Sequence, residues 1–89
     1  PAAERQGSRV VTANGSEVTA QYQRGAEAAL YWARLFHCTK AILKEKSPSC
    51  GHGQIYDGTF SRILTAGDGV TAELLRAEGL EIIGESDLP

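Results

Sequence analysis

One amphipathic segment constrains the fold of this chain more than any other feature of its sequence. Between positions 18 and 36 the apolar residues recur at steps of three and four, the spacing of one face of an α-helix. The set comprises Val18, Tyr22, Ala26, Ala29, Leu30, Ala33 and Phe36. Ser16 or a neighbour can cap this segment, while small residues at positions 25, 26, 28 and 29 allow close approach of another backbone. The sequence therefore predicts a long helix packed against a sheet, with Trp32 and Leu35 widening its apolar stripe.

Shorter patterns on both sides of this helix predict strands and a second helix. Apolar or alternating runs bounded by turn residues, typical of strands, occur at 9–12, 41–43, 55–58 and 80–83. The run 41–43 is bracketed by lysines, which predicts a buried strand. Residues 70–77 predict a second helix that Asp68 can cap. This order predicts an α/β fold, with a small, mostly parallel sheet and packed helices in two or three layers, as in Rossmann-like folds.

The composition limits what kind of protein this is. Its 89 residues, 42% of them hydrophobic, suit a single α/β domain over residues 1–89. No apolar run approaches the roughly 20 residues that a membrane span requires, so no membrane partner is expected. Nine basic and eleven acidic residues, for a net charge of −2, argue against nucleic acid as a partner. A start at Pro1 with no methionine anywhere indicates a fragment or a processed product.

Cys50 is the leading candidate for a residue with a chemical role. It lies in a loop with Gly and Pro, residues 45–53, which begins where the predicted strand 41–43 ends. Ligands of open α/β sheets bind at that edge, and a thiol among loop N–H groups suits metal ligation or nucleophilic attack. Judged from spacing alone, a cysteine that only packs is the more frequent case. Ser47, three residues earlier, could donate to a substrate, relay a proton or satisfy loop backbone groups.

The other patterns favour structural roles. His37, Cys38, Cys50 and His52 carry four zinc-ligand side chains, but they lack the usual spacing of cysteine pairs. Cys38 follows the long helix and is predicted to lie in the core. A disulfide with Cys50 is possible, yet the chain has no other mark of secretion, so a reducing, cytoplasmic setting is favoured. The segment 67–69 could hold a phosphate, but without a P-loop lysine it predicts a turn and a helix cap.

Three ordered motifs then carry a resemblance to a known family. They read Ala-Ile-Leu-Lys-x-x-Ser-Pro-Ser-Cys-Gly at 41–51, Ile-Tyr-Asp-Gly-x-Phe-Ser at 55–61 and Gly-x-Gly-Val-Thr-Ala-x-Leu-Leu at 67–75. Together they resemble the thiouracil desulfidase family of iron–sulfur enzymes, a bacterial group formerly classed as a domain of unknown function. The likeness covers essentially the whole chain and corresponds to the C-terminal part of that domain only. Arg62 stands where relatives usually carry Gly, and Glu73 replaces a small residue.

The resemblance implies a [4Fe-4S] cluster held by three cysteines, with one iron open to the sulfur of a thiolated nucleobase. Cys50 matches one of these metal ligands, and Ser47 matches a serine that assists catalysis. The other two cysteines and a catalytic glutamate belong to a segment before Pro1. An open iron can act as a Lewis acid toward soft sulfur, so that water replaces it without net redox change.

Two hypotheses of different classes follow. In the first, the chain is part of an iron–sulfur-dependent desulfidase that acts on thiouracil-like small molecules. It is then inactive as this fragment and is completed by the missing N-terminal segment or by a homo-oligomer partner. In the second, it is a small non-catalytic α/β module that binds a metabolite or a partner, in which Cys50 merely packs and no cluster is present.

Overall fold

The structure is a computed structural model that describes residues 3–44, 48–51 and 53–84. The described residues form these elements in chain order: β1 (Ala3–Gln6), β2 (Arg9–Thr12), α1 (Thr19–Leu35), β3 (Lys40–Leu43), β4 (Gln54–Tyr56), β5 (Leu64–Ala66), α2 (Val70–Ala77) and β6 (Glu81–Gly84). Both predicted helices and all four predicted strands are therefore present. The strands β1 and β5 are additional to the prediction.

The strands pair in three two-stranded sheets within the described residues. β1 with β2 and β4 with β5 run antiparallel, whereas β3 and β6 run parallel, with Lys40 opposite Glu81 and Leu43 opposite Gly84. The mixed α/β class is confirmed, but the prediction of a mostly parallel sheet with Rossmann-like layers does not hold for this part of the chain. The reason is connection length: short turns, such as the one after Gln6 where Gly7 has a φ of +61°, join neighbours that can only pair antiparallel.

The start of α1 is fixed by β2 and not by a side-chain cap. Val18 is the N-cap residue and makes no side-chain capping bond, so the prediction of a side-chain cap from Ser16 or a neighbour is wrong. The Ser16 carbonyl instead accepts a hydrogen bond from Thr12 N at 2.9 Å and closes the turn after β2. Thr19 Oγ1 accepts from Val10 N at 2.9 Å, which ties the first turn of α1 to that strand.

The core lies between the two helices and one face of the β3–β6 sheet. Its buried cluster consists of Leu30, Ala72, Leu75, Leu80 and Ile82, with Ala33, Ala41, Leu43 and Leu74 packed against it. α1 packs mainly on α2, with Ala26 buried, whereas Gly25 has no other atom within 4 Å of a built Cβ. Close approach therefore occurs at Ala26 but not at Gly25.

Several side chains predicted to be buried are exposed. Ile42 of β3 is 54% exposed, so this strand is not buried on both faces, and Cys38 is exposed, so its assignment to the core is wrong. Trp32 and Leu35 are also exposed, together with Tyr31 and Phe36, and the Trp32 ring stacks on Phe36 with centroids 6.0 Å apart. Exposed apolar side chains thus lie at the end of α1, on β3 and at Ile63 and Leu64.

Among the described residues, no helix combines the length and the apolar character that crossing a bilayer requires.

Leu75→Ala tests the core between the helices. Leu75 is 3% exposed, and its truncation leaves a cavity, so we expect a loss of about 2–4 kcal/mol in the free energy of unfolding. The matched control, Leu35→Ala, removes the same atoms from a side chain that is 51% exposed and should cost less than about 1 kcal/mol. Urea titration followed by circular dichroism measures both. Equal losses would contradict this description of the core.

Candidate functional site

The loop that carries Cys50 is bound to the first turn of α2 through main-chain atoms. Val70 N donates to the Pro48 carbonyl at 2.7 Å, and Gly69 N donates to the Gly51 carbonyl at 2.8 Å. The Ser49 carbonyl accepts from both Thr71 N, at 2.7 Å, and Ala72 N, at 3.1 Å. The N–H groups that a helix leaves without intrahelical partners at its start are therefore used to hold this loop.

This attachment also sets the electrostatics around Cys50. The N-terminal end of a helix carries partial positive charge from its aligned peptide dipoles, and here that end is directed at residues 48–51. Cys50 is half-buried in this turn, and Gly51 beside it is buried. The loop therefore holds the main chain of Cys50 next to the positive end of α2.

Gly69 permits the close approach of loop and helix. A Cβ atom built on Gly69 would overlap the carbonyl group of Ser49 and lie 2.8 Å from Cys50 N. Gly69 is also the N-cap of α2, so the prediction of Asp68 as a side-chain cap is wrong. The Asp68 carboxylate instead accepts from Gly53 N at 2.8 Å and pairs with Arg76 at 3.2 Å. It thereby fixes the far end of the same loop.

The hydroxyl groups of Ser49 and Thr71 lie close to Cys50 and to each other. Ser49 Oγ and Thr71 Oγ1 are 2.7 Å apart and hydrogen-bonded, and Thr71 is 5% exposed. The Cys50 thiol donates to Ser49 Oγ at 3.8 Å. Both residues belong to the motifs that carry the resemblance, but the sequence gives no sign that they contact each other. They position Cys50, a role that sequence reasoning did not assign.

The remaining predicted ligands and the predicted catalytic serine are not brought together in the described residues. Ser47 and His52 both lie outside the described residues. Cys38, at the exposed end of α1, is not in a disulfide with Cys50. No group of three or more His, Cys, Asp or Glu side chains that could hold a metal ion occurs in residues 3–44, 48–51 and 53–84. Within those ranges His37, Cys38 and Cys50 do not form a group of zinc ligands.

The same observations define how an iron–sulfur cluster fits this chain. The Cys50 loop fits one ligand position, because main-chain hydrogen bonds hold its backbone at the start of α2 and Ser49 Oγ accepts from its half-buried thiol. A cluster with three cysteine ligands is not completed by the described residues, which offer no set of three ligands.

A second loop, residues 57–63 between β4 and β5, is held by β1, a strand that was not predicted from the sequence. The Glu4 carboxylate accepts from Gly58 N at 3.0 Å and from Phe60 N at 3.1 Å, and Gln6 Nε2 donates to the Gly58 carbonyl at 2.7 Å. Phe60 and Arg62 both have a φ of +60°, a conformation unusual for residues other than Gly. This explains in physical terms why a Gly is expected at the position of Arg62.

Asp57 stabilises that loop from within. Its carboxylate accepts hydrogen bonds from Thr59 Oγ1 at 2.6 Å and from Thr59 N at 3.0 Å. These bonds, the side-chain bond first, lower the pKa of Asp57 below its ordinary value of 3.8. Because the pKa is lower in the folded state, the stabilisation is present above the ordinary pKa and is lost as the pH falls through the folded pKa.

Arg5 of β1 contacts α2 and the residue that leads into it. Its side chain is 14% exposed, and its guanidinium pairs with Glu73 at 2.6 Å and donates to the Asp68 carbonyl at 2.6 Å. With Asp57 and Ile55 it lines a cavity of about 250 Å³ beside the start of α2. Glu73, a departure from the family pattern, therefore has a specific partner. Arg5 was not predicted, because β1 is mostly polar and has no alternating pattern that marks it as a strand.

Nearly the whole chain is similar in sequence to one known protein family. The model of the 2-thiouracil desulfurase family matches residues 2–87. The chain belongs to this family. It is 47% identical over 81 residues to the uncharacterised protein YbbK of Bacillus subtilis (strain 168), covering 91% of this chain and 54% of YbbK.

A solved structure of the same family gives a close structural match. The [4Fe-4S]-dependent thiouracil desulfidase TudS superposes with a TM-score of 0.97 at 49% sequence identity, over 100% of this chain and 59% of TudS. The chain therefore spans little more than half the length of the relatives it matches. The resemblance predicted from the three sequence motifs is confirmed.

Gly69→Ala tests the contact between the Cys50 loop and α2. The added methyl group must displace Ser49, so we expect a loss of more than about 2 kcal/mol in unfolding free energy and faster amide exchange at Thr71 and Ala72. Gly25→Ala is the matched control, because a Cβ there meets no atom within 4 Å, and it should stabilise the helix by about 0.5–1 kcal/mol. Unchanged exchange at Thr71 in Gly69→Ala would refute the attachment.

Arg62→Gly tests the strained loop. Glycine adopts a φ of +60° without the steric cost that Arg pays, so the substitution should raise the unfolding free energy by about 0.5–1 kcal/mol despite its entropic penalty. Ser61→Gly, one residue earlier and without a positive φ, should be neutral or destabilising. Differential scanning calorimetry of both variants makes the comparison, and a destabilised Arg62→Gly would argue against strain at this position.

Proposed function

We propose that this chain forms part of a [4Fe-4S]-dependent desulfidase that removes sulfur from thiouracil-like thiolated nucleobases. Membership of the 2-thiouracil desulfurase family supports the reaction class. The solved relative TudS is described as a [4Fe-4S]-dependent thiouracil desulfidase, which supports the cofactor and the substrate. The observation within this chain that carries the proposal is the attachment of the Cys50 loop to the start of α2.

In this proposal Cys50 supplies one thiolate ligand. When bound, the cluster supplies an open iron that acts as a Lewis acid toward the sulfur of the substrate. The residues of this chain hold that ligand in place: the first turn of α2 anchors the loop, and the paired hydroxyls of Ser49 and Thr71 support the sulfur. Outer partners of this kind orient metal ligands and adjust their electronic properties. Ser47, the residue proposed to assist catalysis, lies outside the described residues.

The proposed site needs groups that this chain does not bring together. A cluster with three cysteine ligands requires two more thiols, and Cys38 lies exposed at the end of α1. We therefore propose that residues 1–89 are the C-terminal part of a larger domain and are inactive alone. The missing N-terminal segment or a second copy of the chain would complete the site. A cytoplasmic setting suits a cluster with an open iron.

The non-catalytic alternative rests on one observation of its own. The cavity of about 250 Å³ beside α2 is lined by Arg5, Asp57 and Asp68 and does not need a cluster in order to bind a small polar metabolite. A module of this kind would leave Cys50 as a packing residue. The two candidates differ in whether loss of Cys50 abolishes cluster binding.

A joined protein tests the proposal. In it, these 89 residues replace the part of TudS that they match. After anaerobic reconstitution with iron and sulfide, the joined protein should show the visible absorption of a [4Fe-4S] cluster and convert 2-thiouracil. Cys50→Ala should lose both properties, because the cluster loses a ligand.

Cys38→Ala is the matched control and should keep both the absorption and the turnover. The 89-residue chain treated in the same way should show neither. Full cluster absorption in Cys50→Ala would contradict the assignment of Cys50 as a ligand. A joined protein that binds a small metabolite without any cluster would favour the non-catalytic module.

A further inference from the structure

The parallel β3–β6 sheet has two faces that differ in their surroundings. Side chains alternate along a strand, so Ala41 and Leu43 share one face with Ile82, and these residues belong to or pack on the buried cluster between the helices. Ile42 and its partner in the register, Ile83, lie on the opposite face. Both helices therefore cover the same side of this sheet.

The opposite face is apolar and open. Ile42 is 54% exposed and Ile83 is partly exposed. At the start of the two strands Lys40 and Glu81, which share this face, form an ion pair at 3.6 Å. An apolar centre with a charged pair at its border is the arrangement of a surface that packs against another element.

The sequences of β3 and β6 are typical of strands that are buried on both faces of a sheet. The run 41–43 is apolar at every position, and so is the pair Ile82 and Ile83 facing it. Strands of an antiparallel sheet with one wet face alternate apolar and polar residues, whereas continuous apolar runs are typical of parallel strands covered on both faces. Within the described residues, one of the two faces that this pattern requires is covered by the helices.

The comparison with the solved relative indicates what covers the second face. The fold of this chain matches TudS with a TM-score of 0.97 over its whole length, yet it leaves about two fifths of TudS unmatched. We propose that this unmatched part of the desulfurase fold packs on the open face of the β3–β6 sheet. It contributes an apolar layer over Ile42 and Ile83 and makes the two-layer arrangement three-layered.

This docking surface is independent of the cluster, and its test uses the same joined protein without iron. Ile42→Asp places a charge under the added layer, so it should lower the Tm of the joined protein by roughly 5–10 °C. In the 89-residue chain the same side chain already faces water, so the Tm should shift by less than about 2 °C. Ile42→Ala, a milder change that permits folding, should lower the Tm of the joined protein in the same direction.

Ile63→Asp is the matched control, because Ile63 is similarly exposed, at 55%, but lies in the connection between β4 and β5. Its effect should be small in both proteins. Hydroxyl-radical footprinting gives a direct readout: oxidation of Ile42 should fall several-fold in the joined protein, while oxidation of Ile63 stays the same. Equal oxidation of Ile42 in both proteins, with a harmless Ile42→Asp, would overturn the proposal. So would concentration-dependent protection of Ile42 in the 89-residue chain alone, which would assign this face to a second copy.

Discussion

The main-chain hydrogen bonds between the Cys50 loop and the start of α2 are the contact on which the rest of the site depends. They satisfy the N–H groups that α2 cannot satisfy itself, and they fix residues 48–51 without using the Cys50 side chain. The backbone of Cys50 is therefore held by its neighbours, and its thiol donates to Ser49 Oγ. The contact also requires Gly69, because a larger residue would overlap Ser49. Loop position, helix start and local charge are thus set together.

The N-terminal hairpin extends this arrangement to the second loop. Glu4 and Arg5 are neighbours on β1, and their side chains act on different parts of the site. Glu4 accepts from the main chain of the loop after β4, and Arg5 reaches Glu73 and Asp68 at α2. One short strand therefore connects the loop after β4 with α2, the helix that holds the Cys50 loop. Its charged side chains contribute structure through hydrogen bonds and not through burial of apolar surface.

Patterns within a segment could be predicted from the sequence, whereas contacts between segments could not. The periodicity of α1 and α2 and the apolar runs of β2 and β6 identify those elements, and the Gly and Pro residues around Cys50 mark its loop. β1 was missed because Ala3–Gln6 is mostly polar, and β5 because all its residues are exposed. β1 lacks the alternation of apolar and polar residues, and β5, with 3 residues, is shorter than the run of about four to eight over which alternation predicts a strand.

The predictions of the two helix caps and of the buried residues Ile42 and Cys38 were wrong for a related reason. Ser16 and Asp68 have the residue types of caps, but distant main-chain groups occupy the helix starts, and a local rule cannot anticipate this. Ile42 and Cys38 have the composition of buried residues, yet the described residues do not enclose them. The identity of Cys50 as the candidate ligand came from the motifs, and the partners that hold it came from the structure.

The aromatic residues at the end of α1 have a practical consequence. Trp32 is the sole tryptophan of the chain. Its side chain is about half exposed and stacks on Phe36 in the last turn of α1. Indole fluorescence depends on the polarity around the ring, so the emission of this protein reports on a single place in the fold. That place is the last turn of α1, next to the left-handed residue His37 through which the chain passes toward β3. The molecule thus carries an intrinsic optical probe of how its longest helix ends.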